Sequence, residues 1–110
     1  PGWEIDMHPL IEKHREQINA LCRRFGVRRL ELFGSILRAD FDASDSDVDV
    51  VVEFDLTAPG SGLQHYFDLK QHLENLLSRP VDIVELGAME NTRLKRIIER
   101  TKVPFYAAAA

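Results

Sequence analysis

A Gly-Ser pair and an Asp-x-Asp pair are the residues of this chain whose types and spacing best suit chemistry. Gly34-Ser35 ends an apolar stretch, and Asp47 and Asp49 open a run of valines. A glycine lets the backbone approach a phosphate closely, and serine adds a hydroxyl donor. Side chains alternate along a strand, so the two carboxylates share a face, roughly 6–7 Å apart. Mg²⁺ commonly binds one or two carboxylates together with substrate phosphates, so the pattern predicts a site for a nucleoside triphosphate and magnesium.

A third carboxylate is expected beside these two, because a transfer that uses two metal ions needs a further ligand or a base near the attacking oxygen. Asp82 is the strongest candidate, since it lies between Val81 and Ile83 in a short β-branched segment. Glu53 and Glu85 are weaker candidates. A purely structural role for Asp82 is the alternative.

The acidic residues also imitate the start of a calcium-binding loop, with Asp45, Asp47 and Asp49 at alternate positions. Such a loop requires glycine at its sixth position and glutamate at its twelfth. Val50 and Leu56 stand at those positions, so we reject a calcium loop. The structural alternative is an exposed strand end whose acids face water, although acidic residues are uncommon in a valine-rich strand.

Charge is unevenly distributed along the chain, whose net charge is −4. Acidic residues are concentrated between positions 40 and 55, and Arg38, close to the Gly-Ser pair, either contacts the triphosphate or pairs with a nearby aspartate. A basic cluster near the C-terminus is most simply a solvated helix face: Arg93, Lys95, Arg96, Arg100 and Lys102. Because nucleic-acid binding normally needs a broad basic face, we do not expect the chain to bind nucleic acid by itself.

The elements that position these residues follow from the apolar periodicity. Gly26 is placed to end the first helix, and Pro80 the second. The predicted elements are a helix over 8–25, strands over 27–33 and 47–54, a helix from 63 to Pro80, a strand over 81–86, a helix from about 88 to before Pro104, and an edge strand over 103–106. This order is typical of an α/β domain with a sheet of three or four strands covered by helices. The pattern does not decide which strand pairs are parallel.

Size and composition set the remaining expectations. With 110 residues, 45% of them apolar, we expect residues 1–110 to form a single domain, with 107–110 as a frayed or artificial end. No apolar run of roughly 18 residues and no N-terminal signal is present, so a cytoplasmic protein away from membranes is the simplest expectation.

Several other side chains are expected to have structural roles only. Cys22 lies on the apolar side of the first predicted helix and is expected to be buried without chemistry. Leu94, Ile97 and Ile98 lie on one face of the last predicted helix, which indicates packing. The histidines show no metal-ligand spacing: His8, His14, His65 and His72.

Taken together, these motifs resemble the minimal nucleotidyltransferases, the small members of the DNA polymerase β-like superfamily. The resemblance covers about residues 10 to 106 and rests on 32–35, Arg38, 46–54 and 79–84, in the order this family shows. It implies a nucleotidyltransferase palm, with a small mixed sheet packed by helices. One departure is that eleven residues separate Ser35 from Asp47, one more than is usual in the family. A loop absorbs such an insertion at little cost.

The resemblance also implies roles for individual residues. Gly34 and Ser35 would hold the triphosphate of ATP, with Arg38 as a further candidate contact. Asp47 and Asp49 would bind Mg²⁺, in a site for two ions, and Asp82 would match the family's third carboxylate as a ligand and as a helper in activating the attacking hydroxyl.

Family members of this size are similar to the antitoxin of two-gene modules, whose partner is a helical HEPN ribonuclease toxin modified with AMP on a tyrosine. The resemblance therefore implies a magnesium-dependent transfer of AMP from ATP to a protein hydroxyl. Two alternatives are a non-catalytic module that neutralises a toxin by binding it, and a small-molecule nucleotidyltransferase of the antibiotic-modifying type. The nucleotide base and any homo-oligomer are left open.

Overall fold

A computed structural model describes residues 8–37, 46–55, 57 and 62–108. Helices and strands follow one another in the predicted order, except that the first predicted helix is divided in two. In chain order they are α1 (Pro9–Glu12), α2 (Arg15–Arg24), β1 (Val27–Phe33), a 3₁₀ turn (Gly34–Leu37), β2 (Val48–Phe54), α3 (Gly62–Leu77), β3 (Val81–Val84), a second 3₁₀ turn (Leu86–Ala88), α4 (Arg93–Thr101) and β4 (Val103–Ala107). None of the helices described is long and apolar enough to span a bilayer.

The four strands form one mixed sheet in the order β3-β2-β1-β4. β1 pairs antiparallel with β2 and β4, whereas β2 and β3 are parallel and are connected through α3. A parallel pair needs a long crossover, and α3 supplies it. The predicted α/β fold with a small mixed sheet is confirmed, and β4 is an edge strand as expected.

The main core lies between one face of the sheet and the helices α1 to α3. Val48, Val50 and Val52 point into it from β2, and Cys22 of α2 and Leu69 of α3 are completely buried against them. The residues between them on β2 point to the opposite face, because side chains alternate along a strand. That opposite face carries Asp49 and the candidate chemistry.

The prediction of a single helix over 8–25 is wrong, because the structure has two helices there, α1 and α2. The backbone of His14 leaves helical geometry, with φ −110° and ψ 13°, and α2 starts at the next residue. Across the break, Arg15 donates two hydrogen bonds to the carboxylate of Glu12, and its guanidinium lies 4.2 Å from the centre of the Phe105 ring. Arg15 is therefore held on both sides at the junction.

The last predicted helix starts later than expected, because the second 3₁₀ turn precedes it. Thr92 caps α4, with its hydroxyl accepting a hydrogen bond from the amide of Lys95 at 3.3 Å. Packing of its apolar face is only partly confirmed: Ile98 is buried, whereas Leu94 is 58% exposed and Ile97 39%.

The expectation of a frayed end is wrong for Ala107. This residue belongs to β4 and pairs with Arg29 of β1, and the amide of Ala108 donates to the carbonyl of Arg28 at 2.9 Å. Backbone pairing needs no side chain, so alanine is sufficient there. Residues 109 and 110 lie outside the described part of the chain.

Candidate active site

The turn after β1 explains why a glycine precedes Ser35. Gly34 has φ +76°, in the left-handed region that glycine adopts without strain. A Cβ added to it would lie 2.5 Å from Oδ2 of Asp49, so the backbone passes directly against that carboxylate. Phe33 and Asp49 are opposite each other in the antiparallel pair, which sets this approach. A larger residue at position 34 would displace either the turn or the carboxylate.

Ser35 connects the turn to the start of β2. Its Oγ donates a hydrogen bond to the backbone carbonyl of Asp47 at 3.3 Å. Ile36, the next residue, is buried in the main core and holds the turn in place. The Gly-Ser pair and the Asp-x-Asp pair are thus brought together as predicted. The loop between them, residues 38–45, and with it Arg38, lies outside the described residues.

Parallel pairing places Asp49 and Asp82 side by side. They are partners in the register of β2 and β3, next to the partners Val48 and Val81. Adjacent strands lie roughly 4.8 Å apart, and residues in register point to the same face. Asp47 comes two residues before Asp49 and is exposed. We call this group the aspartate end of the sheet: Gly34, Ser35, Asp47, Asp49 and Asp82.

The aspartate end suits a hard cation. Its donors are carboxylates, which Mg²⁺ prefers together with phosphate oxygens. Asp82 is exposed like Asp47, so both side chains are accessible to a ligand. Within the described part of the chain, no three His, Cys, Asp or Glu side chains stand close enough to hold a metal ion by themselves. The residues therefore fit an ion whose other ligands come from a phosphate, and their assignment as magnesium ligands stays a prediction.

The weaker candidates for a third carboxylate lie elsewhere. Glu53, near the far end of β2, accepts a hydrogen bond from Arg29 at 2.6 Å and has Arg28 at 3.8 Å. Its charge is therefore already compensated. Glu85 follows the last residue of β3 and is exposed. Neither is a register partner of Asp49, whereas Asp82 is.

A buried ion pair on the same sheet face was not predicted. Glu31 of β1 is 7% exposed, and its Oε2 accepts a hydrogen bond from Nζ of Lys102 at 2.6 Å. The only sequence signal is that Glu31 stands between apolar residues of a strand. This signal indicates the sheet face on which Glu31 lies, but it does not indicate that Lys102 pairs with it. We call these residues the ion-paired end of the sheet: Arg29, Glu31, Glu53 and Lys102.

Three further polar residues, to which the sequence analysis gave no role, lie at the junction of α3 and β3. Glu74 accepts a hydrogen bond from the amide of Val81 at 3.0 Å, which holds the pKa of its carboxyl below the ordinary value, and Lys70 adds to this effect. Arg79 donates from Nη1 to the carbonyl of Ser46 at 3.2 Å. The helical spacing of Lys70 and Glu74 was the available signal for their pairing.

Cys22, His8 and His72 have structural contacts in the described part of the chain. Cys22 is completely buried, and burial raises the pKa of its thiol to about 12. Nδ1 of His8 accepts a hydrogen bond from the amide of Leu10 and so caps α1. Nδ1 of His72 lies 2.8 Å from the carbonyl of Asp68, one turn earlier in α3.

Comparison with known proteins agrees with this geometry. The family described as the nucleotidyltransferase domain matches residues 14–104, which include every residue of the aspartate end. A protein of Methanocaldococcus jannaschii, named as a candidate protein adenylyltransferase, is 30% identical over 94 residues, with 86% of this chain and 89% of the relative covered. Protein adenylyltransferase MntA of Thermococcus cleftensis is 29% identical over 93 residues, covering 84% of this chain and 87% of the relative.

Solved structures share the fold. A candidate minimal nucleotidyltransferase is 35% identical with a TM-score of 0.69, and 86% of this chain and 91% of that chain are covered. One chain of a complex between an AMPylated HEPN toxin of Shewanella oneidensis and an MNT antitoxin gives a TM-score of 0.61 at 20% identity, covering 88% and 72%, which indicates the fold alone. With most of its length matched by the family and by these relatives, the chain belongs to the nucleotidyltransferase domain family.

Proposed function

We propose that this chain transfers AMP from ATP to a tyrosine hydroxyl of a HEPN ribonuclease toxin and so acts as its antitoxin. The observation that carries the proposal is the aspartate end, where Asp49 lies in register with Asp82 and against the backbone of Gly34. Membership of the nucleotidyltransferase domain family supports the class of reaction. The relatives named protein adenylyltransferases support a protein as the acceptor.

In the proposed reaction, the acceptor oxygen attacks the α-phosphorus of ATP, the bond from that phosphorus to the bridging oxygen breaks, and pyrophosphate leaves. Gly34 and Ser35 present a close backbone and a hydroxyl to the triphosphate. Asp82 receives the proton of the acceptor hydroxyl, or holds that hydroxyl in line. Asp47, Asp49 and Asp82 would hold two Mg²⁺ ions, which supply charge neutralisation on the phosphates and a more acidic hydroxyl.

The proposed partner comes from the relatives. Structures of similar fold include a toxin–antitoxin complex with AMP-PNP and a complex whose HEPN toxin carries AMP. ATP is the donor in this proposal, which therefore includes a reaction in the cytoplasm, where ATP is available. In this proposal, the added AMP inactivates the toxin because it brings a negatively charged phosphate and a bulky nucleoside to the modified tyrosine.

The proposal is tested by incubating the protein with ATP labelled on the α-phosphate, Mg²⁺ and the protein encoded by the adjacent gene, which the proposal expects to be a HEPN protein. We expect label on the HEPN protein with the parent chain, and a loss of at least about 1,000-fold with the double variant Asp47→Asn plus Asp49→Asn. Asp55→Asn is the matched control, since it changes the same side chain just after β2 and away from the aspartate end. We expect it to keep the parent rate.

Two results would contradict the proposal. Equal labelling by the double variant and the parent would exclude these aspartates from the reaction. If instead the double variant, without transferring label, still neutralised the toxin fully in cells, the chain would be a binding module whose transfer activity is not needed.

A further inference from the structure

Side chains of α3 occupy the free edge of β3 at the residue just before Asp82. The amide of Val81 donates to Oε2 of Glu74 at 3.0 Å, and its carbonyl accepts from Nζ of Lys70 at 2.5 Å. β3 is an edge strand, so backbone groups on its outer side have no neighbouring strand to pair with. Lys70 and Glu74 therefore replace a missing strand at this single position.

The two side chains also hold each other. Nζ of Lys70 lies 3.4 Å from Oε2 of Glu74, at the i,i+4 spacing that brings side chains together on a helix. Each is about one-third exposed, whereas Val81 is completely buried. The backbone next to Asp82 is thus fixed from the core side by Val81 and from the edge by the Lys70–Glu74 pair.

Arg79 fixes the backbone just before Asp47, where the chain enters β2. Its Nη1 donates to the carbonyl of Ser46, the residue before Asp47, at 3.2 Å. Its Nε donates to the carbonyl of Leu77 at the end of α3, also at 3.2 Å. One guanidinium therefore ties the end of α3 to the segment that leads into β2, 33 residues away in the sequence.

We infer that Lys70, Glu74 and Arg79 are positioning residues for nucleotidyl transfer, because they fix the backbone on which Asp47 and Asp82 are carried. None of them needs to contact ATP or the acceptor. They set the separation of carboxylates that come from different strands, and a displacement of roughly 1 Å at such a site lowers a rate by about 100-fold. The kinetic part of this inference rests on the proposed function.

The test compares Glu74→Ala and Arg79→Ala with the parent and with Asn75→Ala, an exposed residue of α3 outside the network. Binding of Mn²⁺ is measured by electron paramagnetic resonance with a non-hydrolysable ATP analogue present, alongside kcat and KM for ATP. We expect both variants to bind Mn²⁺ at least about fivefold more weakly and to lose about 10- to 100-fold in kcat. KM for ATP should rise by no more than the loss in Mn²⁺ affinity, because metal and nucleotide binding are coupled while Gly34 and Ser35 are untouched.

Conservative variants separate positioning from a general loss of stability. Glu74→Gln keeps an oxygen that accepts from the Val81 amide, and Arg79→Lys keeps a donor for the Ser46 carbonyl, so both should recover most of the Mn²⁺ affinity. Parent-like Mn²⁺ binding in the alanine variants would overturn the inference, even if their Tm fell. Mn²⁺ affinity that stays low in both conservative variants would also overturn it.

Two further cases are variants that do not fold and a parent that transfers no AMP. If the alanine variants do not fold, Lys70→Met removes one donor and keeps the helix; weaker Mn²⁺ binding then supports the inference, and parent-like binding overturns it. If the parent transfers no AMP to any HEPN protein, the proposed function fails, but the Mn²⁺ measurement still decides whether these residues position the aspartates.

Discussion

The carboxylates at the two ends of one sheet face differ in whether a basic side chain pairs with them. At the ion-paired end, Glu53 accepts a hydrogen bond from Arg29 and Glu31 from Lys102, each at 2.6 Å. At the aspartate end, Asp47 and Asp82 have no Lys, Arg or His partner among the residues that the structure describes. The same strands therefore carry acids that are ion-paired within the chain and, at Asp47 and Asp82, acids with no cationic partner among the described residues.

This contrast separates structural from functional acids better than residue type does. Carboxylates in register on adjacent strands repel each other, since like charges at about 5 Å interact unfavourably even in a high dielectric. A sequence selected for stability alone would place a lysine or arginine nearby, as it does at Glu31 and Glu53. Asp47 and Asp82 lack such a partner among the described residues, which is expected if the proposed ligand supplies the charge.

Asp82→Asn is the substitution for which we expect the largest difference between the two ends. We expect AMP transfer to fall by about 10²–10⁴-fold, because the variant removes a base or ligand beside the attacking oxygen. The free energy of unfolding should not fall and should rise slightly, since the neutral amide relieves repulsion with Asp49. Label transfer and chemical denaturation measure the two effects.

Its matched control at the ion-paired end is Glu53→Gln. This residue pairs with exposed arginines, so its loss should leave both transfer and stability close to the parent values. A drop in transfer as large as that of Asp82→Asn would mean that the two ends do not differ in function.

Gly34→Ala tests the close approach at the aspartate end. The left-handed φ and the added Cβ, which would lie 2.5 Å from Oδ2 of Asp49, should together lower the free energy of unfolding by about 1–2 kcal/mol and transfer by roughly 10- to 100-fold. Gly87→Ala is the control, because nothing lies within 4 Å of a Cβ added there. If both substitutions gave the same small effect, Gly34 would not be needed for the approach to Asp49.

At the ion-paired end, Lys102→Met should act on stability alone. It leaves the Glu31 carboxylate buried without its cation, which costs about 2–3 kcal/mol of unfolding free energy for a pair that is partly open to water. Transfer per folded molecule should stay near the parent value.

Adding Glu31→Gln to this variant should restore part of the lost stability, because the unpaired charge is then gone. A double variant that is less stable than Lys102→Met alone would show that Glu31 does not depend on Lys102. Denaturant unfolding of the single and double variants gives the coupling.

Local features of this molecule were predictable from the sequence, and the non-local ones were not. The alternation of β2 predicts that Asp49 and Val50 face opposite sides, since side-chain direction is a local property. Adjacency of Asp49 and Asp82 depends on parallel pairing across α3, which the pattern left open. The contact of Lys102 with Glu31 joins residues 71 positions apart, and no local pattern indicates such a pair.

The end of α4 shows a different limit of sequence reasoning. Helical spacing predicts that Leu94, Ile97 and Ile98 share a face, but not whether another element covers that face. Only Ile98 is covered among the described residues. Spacing therefore identified the stripe correctly and overestimated its burial.

The smallest expected effect is a pH dependence of stability that arises from Glu74, which supports the backbone beside Asp82. The Val81 amide, and then Lys70, hold the pKa of Glu74 below its ordinary value of 4.5. A carboxyl with a lowered pKa in the folded state stabilises fully above the unfolded pKa, and this contribution is lost as pH falls through the folded pKa. As the pH falls below 4.5, the parent should therefore lose more unfolding free energy than Glu74→Gln, which has no proton to gain.

Acid should loosen the support of Asp82 locally. Glu74 is partly open to water and its carboxylate is what accepts the Val81 amide, so its protonation weakens that hydrogen bond directly. Amide exchange measured by NMR, corrected for intrinsic rates, should then show less protection of Val81 at low pH while Leu32 of β1 stays protected. Asn75→Ala, which leaves every titrating group in place, should reproduce the parent in both measurements. If protection of Val81 and Leu32 fell together, acid would act on the whole fold and not on the support of Asp82.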